Sequence, residues 1–544
     1  MGRRRRVAIW LAALMGMLAG GSLLWQRLRA PRPPLEVALW YWHQPFRLPP
    51  AEAAQLRALG VRQLFVRAGT FRKEGNGARL ILAQQWAGKA DGLAIHLVFN
   101  FDYDIVRHFG ALSNEALAAA IREGVRRERA RAERAGIHIA GVQLDFDCPT
   151  RRLSKYAELL RQLRATLLGS GAFSITALPT WFTDGDVQQV LNAVDFVVPQ
   201  YYEAQIPKTL AEFKTVSRLR MAERGLASLG RTGRPFYAGV PAYGHALLYD
   251  DRGSLAGLYR ALSALDAAHH PSFRLARAFP ADSRGRPATP ATYIGEDIYD
   301  FVAVSPARDG RGKGYHLVYD LPTPALVAQH LALVRAQGPA NCRGIILFRY
   351  PESVGAMTLP LPALAAAIRG ETARPSLRVQ IKAASAPWEL IETGRDAARA
   401  PIDLTLAVTN TGTATTFLAP DAITLTLHFD RPGLEEADPR DFDSLEAFFD
   451  GQSRPASSAA VPPLRASLPR ANGLRLRKFQ LAAGETARIG PIRVPADGAR
   501  QVWGAWSATG PGGFNVVRGD IPPTPLAPEA TNREKPDSAA ALLP

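Results

Sequence analysis

Asp145 and Asp147 stand two residues apart in the stretch Gly141-Val-Gln-Leu-Asp-Phe-Asp-Cys-Pro149. Read as a β-strand, the stretch alternates. Val142, Leu144 and Phe146 share one face, and Gln143, Asp145 and Asp147 share the other. Two carboxylates in line on one face repel each other and lose hydration, which raises the pKa of at least one of them. A carboxyl kept protonated in this way suits a general acid, and the same pair would equally suit a divalent cation. A plainer reading has the two residues capping loops or pairing with Arg151 or Arg152. The elements around the pair decide where it stands. Ser154 opens a helical stretch to Leu168, with Tyr156, Leu159, Leu160, Leu163 and Leu167 at helical spacing, which is the order of a β/α unit in a parallel sheet. Strands of such sheets are normally apolar on both faces, so a polar face implies the interior of a closed barrel, with its last carboxylates at the C-terminal rim.

Other strand ends supply further rim candidates: His43, Arg67, Asn100, Asp102, Asp104, Trp181, Gln200, Tyr243 and Arg349. Gln143 shares the polar face with the two carboxylates. Aromatic groups at a barrel mouth suit sugar rings, whose C–H faces stack on π surfaces while their hydroxyls meet carboxylates and amides. Ordinary packing accounts equally well for Trp40, Trp42 and Trp181. His43, beside Gln44-Pro45, is explained more simply as a capping or core residue, and Asp102 and Asp104 as loop residues.

Eight short apolar runs recur from Val37 to Tyr350: Val37 to Trp42, Gln63 to Ala68, Leu93 to Phe101, Gly141 to Asp147, Phe173 to Leu178, Phe196 to Tyr202, Phe236 to Tyr243 and Gly344 to Tyr350. Helical patterns lie between most of them, at Ala51 to Leu59, Asn114 to Ala135, Ser154 to Leu168, Asp184 to Asn192, Thr209 to Gly225 and Thr323 to Gln337. The expected fold is therefore α/β, a (β/α)8 TIM barrel over residues 35–370. An insertion after the seventh strand, about 246–320, carries strand-like pieces of its own at Asp300 to Val304 and Tyr315 to Tyr319.

After Gly370 the pattern turns to period two with Asn-Thr-Gly and Pro-Gly-Gly turns, so residues 371–520 read as an all-β sandwich. Its strands are expected at Leu377 to Ala383, Asp403 to Thr409, Ala422 to Phe429, Leu474 to Leu481, Thr486 to Val494, Val502 to Ser507 and Phe514 to Arg518. The Pro/Asp/Ser-rich segment from Asp430 to Pro469 reads as an insertion with little regular structure, and residues 521–544 as a disordered tail. The short polar link from Gly370 to Ser376 predicts a sandwich that folds independently of the barrel.

The first 34 residues form a signal or membrane anchor and a spacer. Arg3 to Arg6 precede an uncharged run from Val7 to Trp25 of membrane-spanning length, with Trp10 and Trp25 near its ends. The Arg cluster predicts a cytoplasmic N-terminus with the remainder in the periplasm, or a periplasmic or secreted protein if residues 1–30 are cleaved. A net charge of +17 over 544 residues invites a nucleic-acid reading, but the basic residues are scattered and no RNA-binding signature is present, so no nucleic-acid partner is expected. Cys148 and Cys342, at opposite ends of the barrel, give no disulfide framework. No zinc spacing, Walker loop, dinucleotide fingerprint or Gly-x-Ser-x-Gly elbow is present, and neither metal nor cofactor is expected.

Four segments together resemble the chitinase-like barrels of glycoside hydrolase family 18. Gly141-Val-Gln-Leu-Asp-Phe-Asp is similar to the fourth-strand pattern Asp-Gly-x-Asp-x-Asp-x-Glu, with Ala140 and Gln143 at its first two Asp positions, Asp145 at the third and Asp147 at the acid Glu. Asp195-Phe-Val-Val-Pro-Gln-Tyr-Tyr-Glu resembles the sixth-strand Met-Thr-Tyr-Asp motif, with Tyr202 and Glu203 on its Tyr and Asp. Gly239-Val-Pro-Ala-Tyr-Gly is similar to the seventh-strand Gly-x-Pro-x-Tyr-Gly. Gly344-Ile-Ile-Leu-Phe resembles the last strand, with Phe348 where that family has Trp. The chain as a whole resembles a bacterial group, the domain of unknown function 3142 family, through its Trp-Tyr-Trp opening and Asp-Phe-Asp strand. The chitinase resemblance implies a glycan substrate, with Asp147 as acid, Asp145 as its modulator, and Tyr202 and Glu203 holding substrate or transition-state charge. Gln143, His43, Asn100, Asp102, Trp181, Gln200, Tyr243 and Phe348 would then line the substrate. The acid position holds a side chain one methylene shorter than Glu, and two supporting Asp positions hold Ala140 and Gln143. A non-catalytic carbohydrate- or envelope-binding protein on the same barrel is the alternative.

Overall fold

The structure, a computed structural model, describes residues 35–42, 44–167, 171–183, 186–202, 206–305, 312–351, 357–385, 401–449, 452–455, 466–467, 471–495 and 497–526. The expected N-terminal span lies outside the described residues, among which no helix is long and apolar enough to cross a membrane.

Eight parallel strands close into a barrel: β1 (Glu36–Tyr41), β2 (Gln63–Glu74), β4 (Ala94–Phe101), β5 (Ile139–Asp145), β6 (Ala172–Ala177), β7 (Phe196–Pro199), β8 (Phe236–Pro241) and β14 (Cys342–Phe348). The ring runs β1-β14-β8-β7-β6-β5-β4-β2, and β2 pairs back onto β1 from Ala38 opposite Gln63 to Tyr41 opposite Val66. These are the eight apolar runs. Closure leaves no open edge, so every strand can be apolar outward against helices and carry selected polar groups inward. Helices at Pro50–Ala58, Asn114–Arg134, Leu153–Leu167, Val187–Asn192, Leu219–Gly230, Pro324–Gln337 and Leu361–Arg369 intervene. Between β2 and β4 an antiparallel strand, β3 (Gly77–Ala83), takes the place of a helix.

Inside the barrel, Ala38, Trp40, Phe65, Val98, Phe196, Val198, Tyr237 and Ile346 form a buried layer. Gln143 and Ser174 join it as polar members. Trp40 Nε1 donates to Gln143 Oε1 at 2.7 Å, and Gln143 Nε2 donates to Ser174 Oγ at 3.3 Å. Gly141 lets β5 approach its neighbours, since a Cβ there would lie 2.5 Å from the Ala172 carbonyl oxygen and 2.5 Å from His96 Nδ1.

The helix expected from Thr209 is not formed until Leu219. Residues 215–217 are used otherwise, because the Val216 and Ser217 amides donate to the buried carboxylates of Asp320 and Glu296. Those carboxylates belong to the insertion after β8, which is a five-stranded antiparallel sheet in the order β10-β9-β13-β12-β11. Its strands are β9 (His245–Tyr249), β10 (Leu255–Leu258), β11 (Phe273–Pro280), β12 (Glu296–Ala303) and β13 (His316–Pro322).

Beyond the barrel two antiparallel sheets of five and six strands face a common apolar core. The five-stranded sheet holds β15 (Leu377–Ser385), β16 (Ile402–Asn410), β18 (Glu436–Ala437), β21 (Ala466–Ser467) and β23 (Thr486–Val494). The six-stranded one holds β17 (Ile423–Phe429), β19 (Ser444–Phe449), β20 (Gln452–Pro455), β22 (Gly473–Lys478), β24 (Gln501–Thr509) and β25 (Val516–Pro525). Two expectations are corrected here. The segment 430–469 contributes strands, because Leu445 and Ala447 alternate inward and β19 pairs with β22. The last strand runs to Pro525, held by Ile521 and followed by Leu526 in the core, and the expected tail from residue 527 on lies outside the described residues. The sandwich also shares an apolar cluster with the insertion, in which Phe417 and Leu418 pack with Tyr299, Phe301, Leu317 and Tyr319. Tyr299 accepts a hydrogen bond from the Leu418 amide, and the Gly512 amide donates to buried Asp297. The shared core runs against an independently folding sandwich.

Candidate active site

The inward positions one layer above Trp40 and Gln143, toward the C-terminal ends of the strands, are Trp42, Arg67, Asn100, Asp145, Thr176, Gln200 and Phe348. The register brings Asn100 of β4 opposite Asp145 of β5. Asp145 Oδ1 accepts from Thr176 Oγ1 at 2.8 Å and from Gln200 Nε2 at 3.3 Å. Both partners are neutral, so the carboxyl is held in place without being neutralised. Burial raises its pKa to about 7, helped by the charge of Asp147, while the two hydrogen bonds and Arg67 act the other way. β5 ends at Asp145, so Asp147 lies past the strand in the loop before the 153–167 helix. Its backbone turn leaves it exposed at the mouth, yet the walls around it strip enough water to raise its pKa as well. Among the described residues Asp147 makes no hydrogen bond and no ion pair. The two carboxyls influence each other, so they release their protons as a pair.

Aromatic rings wall the mouth. Tyr202 stacks on Phe348 with centroids 5.8 Å apart and planes 17° apart, while Tyr243 meets the same ring edge-on at 5.0 Å and Trp42 at 5.3 Å. Phe348 and Arg349 are joined by a cis peptide bond. On the β2–β4 side, Arg67 Nε donates to Asn100 Oδ1 at 3.2 Å and Arg67 Nη2 to Thr70 Oγ1 at 2.8 Å. The Thr70 hydroxyl donates a hydrogen bond to Asn100 Oδ1 at 2.8 Å, and the Arg67 guanidinium lies 5.6 Å from the centroid of Trp42. Beneath the pair, Tyr156 is wholly buried, and burial together with the nearby Cys148, Asp145 and Asp147 holds its phenol well above the usual range.

Asn100, Asp145 and Gln200 thus meet at the C-terminal end of the barrel, Tyr202 and Tyr243 gather on Phe348 at that end, and Asp147 follows two residues beyond Asp145. Gln143 is near but beneath it, fully buried and engaged by Trp40 and Ser174. Trp181 is removed from the site by burial: its ring is wholly enclosed, its Nε1 donates to the Cys148 carbonyl at 2.8 Å, and no face is open to a ligand. Asp102 is a helix cap, accepting from the Ile105 amide at 3.1 Å and pairing with Arg72 at 3.3 Å, and Asp104 is exposed in the turn that follows. His43 and Glu203 lie outside the described residues. Thr70, Thr176 and Tyr156 were not anticipated. Ser174 and Thr176 alternate with apolar neighbours in the Phe173 to Leu178 run just as Gln143 and Asp145 do, and that period-two signal would have found Thr176. Both cysteines are free. Among the described residues no group of three or more His, Cys, Asp or Glu is placed to hold a metal ion.

Solved structures similar to this chain include the spore cortex-lytic enzyme SleL of Bacillus megaterium, 13% identical with a TM-score of 0.40 over 63% of this chain and 75% of that one. A glycoside hydrolase family 18 N-acetylglucosaminidase of Paenibacillus barengoltzii is 12% identical with a TM-score of 0.39, covering 62% of this chain and 99% of that one. A chitinase of Chromobacterium violaceum is 15% identical with a TM-score of 0.38, covering 62% and 98%. No curated protein sequence matches the chain. Over residues 103–268, a span that contains β5 to β8 and with them both carboxylates, Tyr202 and Tyr243, the chain matches the family described as Domain of unknown function (DUF3142).

Proposed function

We propose that this protein is a glycoside hydrolase-like enzyme that acts on an envelope or extracellular polysaccharide by general acid catalysis from Asp147. The observation that carries the reading is the Asp145–Asp147 pair at the C-terminal mouth of the barrel. One carboxyl is pinned by neutral donors with its pKa near 7, and the other has its pKa raised and no partner among the described residues. A carboxyl with a raised pKa and no hydrogen bond or ion pair among the described residues can deliver a proton to a glycosidic oxygen as the C–O bond breaks. Asp145 sets that proton's availability through its own charge, and its unengaged Oδ2 can orient the nucleophile. The aromatic wall of Tyr202, Tyr243, Phe348 and Trp42 offers faces on which a sugar ring stacks. The Arg3 to Arg6 cluster and the apolar run after it support an inner-membrane anchor with the barrel on the periplasmic side.

A second reading, a carbohydrate-binding protein without turnover, is favoured by the same position. Asp147 is one methylene shorter than the acid of the barrels it resembles, and Gln143 is committed to Trp40. Turnover of polysaccharides by the wild type and Asp147→Asn separates the two. An enzyme loses turnover in the variant and keeps binding, whereas a binding protein cuts nothing in either form and binds alike in both.

A further inference from the structure

Arg67 is a half-buried cation whose role the acid chemistry does not require. It stands on the inward face of β2 in the same layer as Asp145, with no ion pair to it within 4 Å, and its side-chain partners among the described residues are the neutral Asn100 and Thr70. Tying β2 to β4 does not call for it, because Thr70 and Asn100 already hydrogen-bond to each other. Asp145 acts on Arg67 through its charge and not through an ion pair, and Arg67 Nη1 makes no hydrogen bond among the described residues, so part of the fork is left for a ligand.

The geometry of its donors shows what would. Nε and Nη2, the side of the fork nearer the chain, are the atoms that donate to Asn100 and Thr70. That leaves the far edge, Nη1 with the second proton of Nη2, without a hydrogen bond among the described residues. Two parallel N–H groups at that edge match the two oxygens of a carboxylate. The Asn100 side chain, its oxygen taken up by Arg67 and Thr70, has an amide nitrogen that makes no hydrogen bond among the described residues and is a further donor on the same residue pair. Trp42, under the guanidinium on one side and edge-on to Phe348 on the other, links this corner to the aromatic wall. The acidic pair nearby favours a singly charged ligand group over a doubly charged phosphate, whose repulsion from Asp145 and Asp147 would be larger.

Building on the reading of this cleft as a glycan site, we propose that it is selective for carboxylate-bearing sugars, with Arg67 and the Asn100 amide holding the carboxylate. Arg67 is thereby a specificity-determining residue and the glycan an acidic one.

The test probes the full-length chain against an array that pairs uronate-containing oligosaccharides with their carboxyl-reduced, neutral counterparts. The wild type is expected to bind acidic members roughly ten- to hundredfold more tightly than their neutral partners, as charge-assisted hydrogen bonds do, and to lose much of that preference in high salt. Arg67→Gln should bring the ratio close to one while binding of neutral members persists, and Arg67→Lys, which keeps the charge without the fork, should fall between. Equal binding of acidic and neutral partners by the wild type, or an unchanged ratio in Arg67→Gln, overturns the proposal and leaves the glycan site standing. The salt dependence of the wild type reads the preference even if Arg67→Gln fails to fold. Binding of neither kind removes the glycan reading and the proposal with it.

Discussion

At the scale of single residues, Asp145 is a carboxyl whose neighbours pull in opposite directions, burial and Asp147 against Thr176, Gln200 and Arg67, with burial prevailing. Its pKa near 7 against an ordinary 3.8 means that between those values the folded chain holds a proton the unfolded chain has released. The stability this confers is fully present below about pH 4 and is lost as pH rises through 7. Asp145→Asn removes the dependence. Urea unfolding from pH 5 to pH 8 should therefore show the wild type losing stability more steeply than the variant, with the variant the more stable at pH 8. Parallel curves would show that the carboxyl titrates in the ordinary range. Asp297, raised to about 7 by its own burial, is common to both proteins and cancels in the comparison. Asp145 was legible because the period-two strand puts it on the inward face with Gln143, whereas Asp147, read onto the same strand face, lies past the strand's end. Trp181 was not, because sequence places a residue near a strand end without saying whether the next helix covers it.

Among elements, β5 positions the site, and its entry is set by Gly141. A methyl group there meets backbone oxygen and the buried His96 ring, neither of which can yield freely. Gly141→Ala is expected to cost about 1–3 kcal/mol, the usual range for overpacking, and to reduce activity with it by displacing β5. A midpoint in urea equal to that of the wild type would show that the strand has slack. All eight barrel strands were legible, since each is a short apolar run between polar or helical stretches. Where reading failed, tertiary contacts had overruled local pattern. The 209–218 segment has helical spacing but spends its Val216 and Ser217 amides on Asp320 and Glu296. The 430–469 segment has loop composition but enough alternation at Leu445 and Ala447 to enter both the sheet and its core. Asp147 sits beyond the strand rather than on it, because β5 stops at Asp145.

For the whole molecule, the insertion is the link between barrel and sandwich. It clasps the loop before the 219–230 helix with Glu296 and Asp320, and on its other side shares Tyr299 and Phe301 with Phe417 and Leu418. The short polar connection at 370–376 concealed this, because a linker shows how two parts are joined and not how much apolar surface they bury together. Ending the chain at residue 370 would uncover that cluster and leave Asp297 without the Gly512 amide. The shortened protein is expected to melt several degrees lower and to bind a hydrophobic dye, and a melting temperature equal to that of the full chain would contradict the shared core.

The central claim is that a proton leaves from position 147. The direct measurement is the rate of glycan cleavage by the wild type, Asp147→Asn and Asp147→Glu, with glycan binding and melting temperature recorded for each. Asn should lower the rate by roughly 10²–10⁴, the share that a positioned acid contributes. Glu, which keeps the acid and adds one methylene of reach, should retain activity. Binding should be alike in all three, and the melting temperature of the Asn variant should be equal to or above that of the wild type. Cleavage by Asp147→Asn at the wild-type rate, or its unfolding by several kcal/mol as when one partner of a buried ion pair is lost, would contradict the account.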